Sequence, residues 1–291
     1  MAKTNERTMK TLVLFQRNEI TEYHVYSGLA KCCRNRMNKK VLESIARDEL
    51  KHYNIWKKLS GRDVSPSSLK IWFYEMISRV LGLTFAIKLM ENGENKAQSS
   101  YDKFIKSSGR ARDIEKDEKR HENMLIDMIE EEKLNYISSI VLGLNDALVE
   151  LTGTLAGLTF ALQHARIIAV AGMITGVAAA LSMAASEYLS TKSEEGIKDP
   201  LKASVYTGIT YLGAVLILVV PYFLFANYFI SLGLMFISAV ALIFVFTYYY
   251  SVVKSIPFRA RFLEMVSISL GVSLLSFLIG LAVRYIVGIN I

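Results

Sequence analysis

From residue 138 onward the chain runs through five apolar stretches, near 138–161, 166–189, 204–226, 228–252 and 264–287. Each is long enough to cross a hydrocarbon core of roughly 30 Å, which takes about twenty helical residues. In lipid the backbone must satisfy its own hydrogen bonds, so such runs have little choice but to be transmembrane helices. The first half is of another kind: up to about residue 136 it is dense in Lys, Arg, Asp and Glu. The contrast divides the chain into a soluble domain, 1–135, and a membrane domain, 136–291. It also explains why 52% hydrophobic residues coexist with a net charge of +7.

Basic and acidic residues are interspersed in the first half, and the aromatics sit in apolar runs, so no nucleic-acid footprint is present. A face near anionic lipid accounts for the positive sign. The opening MAKTNERTMKTLVLF lacks the apolar core and cleavage site of a secretory signal, so the soluble domain is expected in the cytoplasm. The two cysteines, Cys32 and Cys33, are adjacent. On a helix they point about 100° apart, which strains a bridge and suits packing in a reducing compartment.

Helical periodicity runs through 5–33, 38–60, 67–107 and 108–134, with breaks at Arg34-Asn35, GRDVSPSS and SSGR. Gly82 and Gly93 are candidate break points within the third segment. The fold class is therefore all-α: a four-helix bundle followed by five membrane spans.

Two pentapeptides in the bundle have the same form, DELKH at 48–52 and DEKRH at 117–121. Residues three apart share a helix face, so Glu49 with His52, and Glu118 with His121, can each grip one ion. One such pair is common on exposed helices. Here each is preceded by a glutamate with a tyrosine seven residues on: Glu19 with Tyr26 in NEITEYHVY, and Glu94 with Tyr101 in GENKAQSSY. That repetition reads as an internal duplication. A two-metal centre in a bundle needs two such pairs and one further Glu from each remaining helix, giving Glu19, Glu49, His52, Glu94, Glu118 and His121. Glu22 and Glu91 are secondary candidates. His24 lies on another face from Glu19, and His164 falls between two spans.

The pattern resembles the ferritin-like superfamily, and within it the rubrerythrin branch, over about residues 10–130. The resemblance implies a di-iron site reactive toward oxygen or peroxide. Rubrerythrin proper also carries paired C-x-x-C motifs for a second iron site, which this chain does not have.

The stretch IWFYEMISRVLGLTFAIKLM, 71–90, is apolar enough to suggest a membrane span, but Glu75, Arg79 and Lys88 would be costly in lipid. A buried helix, a dimer-forming helix and one lying at the membrane surface all fit.

Polar groups inside the spans mark pathways or structural pairs. Asp146 and Glu150 in GLNDALVELTGTLAG share a face at i,i+4, as do Met183 and Glu187 in SMAASEYLS. Carboxylates suit hard and borderline divalent ions, and a thioether tolerates softer ones such as iron(II). Gly153, Gly157, Gly172, Gly176 and Ala178–Ala180 let helices approach closely. Lys192, Lys198, Lys202, Lys254, Arg259 and Arg261 fall on one side, with Arg166 and Arg284 on the other, which places the N-terminus inside and the C-terminus outside.

GLNDALVELTGTLAG followed by AALSMAASEYLSTKSEEG resembles the first two spans of the vacuolar iron transporter family. The resemblance implies a homodimer that exchanges iron(II) or manganese(II) for protons, with Asp146 and Met183 in the ion path. The link after the second span is short, with only Glu194 and Glu195, where many members carry a glutamate-rich insert. As a whole the chain resembles the fused ferritin-like and iron-transporter proteins. The expected function is proton-coupled export of iron or manganese, with a cytoplasmic di-iron bundle that collects, senses or oxidises the metal. The alternative is a membrane-tethered di-iron ferroxidase or peroxidase.

Overall fold

The structure, a computed structural model, describes residues 2–33, 35–91, 93, 114, 117–118, 120–121, 124–125, 136–194 and 199–287. The fold is all-helical, and among the described residues there is no strand. The chain separates into two compact units, Met1–Glu130 and Glu131–Ile291.

In the first unit α1 (Ala2–Cys32) and α2 (Arg36–Ser60) pack along one another. Their turn is short because Asn35 caps α2 at once, its side chain accepting from the amides of Met37 at 2.8 Å and Asn38 at 3.3 Å. Gly61 ends α2 at φ +64°, the left-handed conformation that a residue without Cβ adopts freely. The loop that follows is tied back to α1. Gln16 donates to the Arg62 carbonyl at 2.9 Å and accepts from Ser60 Oγ at 2.7 Å, and Thr21 Oγ1 accepts from the Ser67 amide at 3.0 Å.

The apolar stretch 71–90 is divided at Gly82, whose φ of +98° stops the helix. Before it lies α3 (Ser68–Leu81), packed on α1 with none of its residues buried. After it, residues 83–91 are helical again and sink into the core through Phe85, Ala86, Ile87 and Met90. The core joins four segments: Val25, Tyr26, Leu29 and Ala30 from α1, Leu42, Ile45 and Ala46 from α2, Ile87 and Met90, and Leu125. The described residues between 114 and 125 are helical.

The second unit holds five helices long and apolar enough to cross a membrane. They are α4 (Ile137–Leu162), α5 (Ala165–Ser193), α6 (Pro200–Leu224), α7 (Tyr228–Lys254) and α8 (Phe258–Val287). Asp199 and Asn227 cap α6 and α7, and Pro200 occupies the first turn of α6, where its missing N–H costs nothing. The central helix is α4, which touches each of the other four. Glycines bring it close to two of them, α6 and α8. A Cβ on Gly143 would stand 2.5 Å from the Thr207 carbonyl oxygen on α6, and one on Gly280 of α8 would stand 2.5 Å from the Gly157 carbonyl oxygen on α4. Between α4 and α8, Thr152, Ser269 and Ser273 hydrogen-bond to one another at 3.0–3.1 Å, which satisfies hydroxyls that lipid would leave unpaired. Outward residues such as Ile174, Leu181, Ile209, Ile237 and Leu274 are exposed and apolar, as a surface solvated by lipid chains should be.

Candidate metal centre and membrane carboxylates

Glu19 of α1, Glu49 and His52 of α2, and Glu118 converge: one ligand atom from each lies within 4.8 Å of the others. His52 Nδ1 is the common point, 3.5 Å from Glu19 Oε2, 3.4 Å from Glu49 Oε2 and 3.4 Å from Glu118 Oε1. His121 stands across from it, with ring centroids 6.1 Å apart. Its Nδ1 is 3.2 Å from Glu49 Oε1 and 4.0 Å from Glu118 Oε2. Glu49 and Glu118 thus each turn one oxygen toward His52 and the other toward His121.

Helix spacing and burial produce this arrangement. Glu49 and His52 share the inner face of α2 with Ile45, Ala46 and Trp56, and all five are buried. Glu19 Oε2, Glu49 Oε2, His52 Nδ1 and His121 Nδ1 are buried and find no hydrogen-bond partner among the described residues. Each such atom left alone costs about 1–3 kcal/mol, more when charged. A divalent cation between Glu19, Glu49, His52 and Glu118 would satisfy the first three of these atoms at once, and carboxylate with imidazole is a donor set that iron(II) and manganese(II) accept. The residues therefore fit a metal.

The atoms pointing away from the site are held. Trp56 Nε1 donates to Glu19 Oε1 at 3.0 Å, which leaves Oε2 turned inward. His52 Nε2 lies 3.4 Å from Asp117 Oδ2, and His121 Nε2 lies 3.3 Å from Asp48 Oδ2. A carboxylate on the outer nitrogen fixes the ring and its tautomer for a metal on the inner one. Arg120 draws the two aspartates together, 2.7 Å from Asp48 and 3.2 Å from Asp117.

Burial pushes the Glu19 carboxyl up to about 7, with His52 acting in the other direction. Burial alone would lower both histidines. At His52 the carboxylates of Glu118, Glu19 and Glu49 outweigh it and raise the ring, and at His121 Glu49, Glu118 and Asp48 do the same. Asp48 would likewise rise on burial, but Lys51 and His121 hold it below its ordinary value.

Five of the six expected bundle residues are thus brought together, and Glu94 lies outside the described residues. Glu91 is buried beside Lys88, 3.4 Å away. His24 is exposed. Asp48, Asp117 and Trp56 were not anticipated. The signal for the aspartates was in plain view, since both pentapeptides begin with Asp, whereas nothing local marks Trp56 as a partner of a residue 37 positions away.

In the membrane unit Asp146 is half-buried, and Glu150, one turn on, is exposed. Tyr211 of α6 donates to Glu150 Oε2 at 2.7 Å. Glu187 of α5 accepts from Ser139 Oγ at 2.6 Å, near the start of α4. Met183 packs, half-buried, against the core of the unit. The described contacts do not gather these four into one cluster, and neither Tyr211 nor Ser139 was foreseen. Tyrosine in an apolar run reads as a belt or packing residue until its partner is known.

Residues 137–198 match the family model described as VIT family, a stretch well under half of the chain. No curated protein and no solved structure matches the chain. The matched stretch covers the two helices that carry Asp146, Glu150, Met183 and Glu187, and with the five apolar helices it marks an integral membrane protein whose first two membrane helices are similar to those of the VIT family of metal-ion transporters.

Proposed function

We propose that this protein exports iron(II) or manganese(II) from the cytoplasm in exchange for protons, and that its first unit is a ferritin-like bundle that captures the metal. The observation that carries the reading is a buried set of convergent carboxylate and imidazole atoms on the same chain as a VIT-type pair of membrane helices.

In the bundle Glu19, Glu49, His52, Glu118 and His121, with Glu94, hold the metal. A two-iron centre there would supply redox chemistry toward oxygen. The chain's own residues set its conditions: Trp56 fixes the Glu19 carboxylate, and Asp48 and Asp117 present both histidines through Nδ1. In the membrane Asp146 and Glu150 receive the ion and release protons, so the charge carried through a low-dielectric region stays small. Tyr211 holds one Glu150 oxygen and leaves the other to the ion. Met183 lends a soft ligand that favours transition metals over magnesium and calcium, and Glu187 lies at the end of the path marked by Ser139. A homodimer fits the exposed small residues of α5, Ala178, Ser182 and Ala185, which permit close approach of a second copy.

The test is Asp146→Asn in the full chain. Flux of iron(II) and manganese(II) should be abolished while metal binding by the bundle is kept. Flux that survives the substitution overturns the assignment.

A further inference from the structure

Helix α3 presents its apolar side outward. Leu69, Trp72, Phe73, Met76 and Val80 are 75%, 59%, 40%, 39% and 71% exposed. At helical spacing these five occupy one sector of about 100°. The opposite side is the one applied to the bundle: Ile71 and Tyr74 pack against the core, and Glu75 lies against Gly28 of α1, where a Cβ would collide with its carboxylate. The acidic residue is thus turned in and the apolar stripe out. Lys70 and Arg79, both exposed, flank the stripe on its two sides, and no acidic residue lies within the exposed sector they border.

We propose that this stripe docks α3 onto the surface of an anionic bilayer, the one the five helices of the same chain span. An apolar sector bordered by basic side chains, with tryptophan on it, is the composition of a helix lying in the interfacial plane: the rings and aliphatic chains enter the headgroup boundary while Lys70 and Arg79 reach lipid phosphates. Covalent connection to the spans keeps that surface at high local concentration, so a short helix with a modest apolar area suffices. A second copy is the less suitable cover. A two-fold antiparallel pairing of α3 about the middle of the stripe sets Lys70 of one copy near Arg79 of the other, a like-charge contact repeated twice.

The chain has two tryptophans, and the other, Trp56, is buried beside Glu19, so emission lost in Trp72→Phe isolates the α3 signal. The intact protein would be reconstituted in phosphatidylcholine–phosphatidylglycerol liposomes with acyl chains brominated near the headgroup, and in unbrominated controls. Bromine should remove roughly half or more of the Trp72 emission, and the Leu69→Glu/Val80→Glu double variant should lose most of that quenching while its bundle still binds manganese(II). Trp72 shielded from acrylamide but untouched by brominated lipid would mean a protein cover. Trp72 open to acrylamide and untouched by lipid would mean a free face. Either result overturns the proposal.

Discussion

Asp48 stands one residue before Glu49, yet its carboxylate meets the histidine of the other segment, with Oδ2 3.3 Å from His121 Nε2. Asp117 does the reverse, with Oδ2 3.4 Å from His52 Nε2. Each D-E-x-x-H segment therefore contributes an inward glutamate and histidine and an outward aspartate that orients its counterpart's ring. Replacing Asp48 with Asn should weaken metal binding by the bundle about tenfold, the lower end of what loss of such a partner costs. Competition with a chelator of known affinity measures this. Unchanged affinity would mean that the aspartate serves only its ion pairs with Lys51 and Arg120.

How much of this was legible beforehand depends on the range of the interaction. The spans follow from length and apolarity, and the Glu–His pairs from i,i+3 spacing, because both are local. The break at Gly82 was visible as a glycine in a helical pattern, and the burial of Phe85, Ile87 and Met90 just after it shows what the break achieves; Gly93, the other candidate, is flanked by positions outside the described residues. The stretch 71–90 was ambiguous because its two parts have different fates, α3 exposed and the residues after Gly82 buried. Tyr211 with Glu150, and Ser139 with Glu187, are contacts between separate helices that no sequence period encodes.

Metal affinity of the bundle should rise with pH. The ligand carboxylates raise His52 and His121, and burial raises Glu19 to about 7, so near neutrality the metal-free site retains protons that a cation must displace. A raised pKa means that the proton is held at low pH and leaves as pH increases, which places the gain in affinity around neutral pH and above. Calorimetry with manganese(II) at about pH 6 and about pH 8, in buffers of different ionisation enthalpy, should show tighter binding at the higher pH and proton release on binding. Affinity independent of pH would contradict this protonation scheme.

Trp56 should report occupancy. Its indole nitrogen is 3.0 Å from Glu19 Oε1, so a paramagnetic ion on Glu19 sits within a few bond lengths of the ring. In a Trp72→Phe background, manganese(II) should quench the remaining emission saturably, and Glu19→Ala should remove that response. Quenching that persists without Glu19 would place the ion elsewhere.

The membrane unit should be sensitive at Gly143 and tolerant at Gly271. A side chain at Gly143 meets the Thr207 backbone, and the helices cannot part without breaking the 3.1 Å bond from Thr207 Oγ1 to the Ser139 carbonyl. Gly143→Val should destabilise the unit by about 1–3 kcal/mol, lowering its melting temperature in detergent and leaving manganese(II) binding by the bundle intact. A Cβ at Gly271 meets nothing within 4 Å, so Gly271→Ala should match the parent.

The most direct measurement is flux of iron(II) and manganese(II) across proteoliposomes containing the intact protein, with and without an imposed proton gradient. Metal movement that drives protons in the opposite direction, and that a proton gradient accelerates, is the predicted result. No flux of either metal, in liposomes whose protein still binds manganese(II) in its bundle, would contradict the transport reading and leave a membrane-anchored di-iron enzyme in its place.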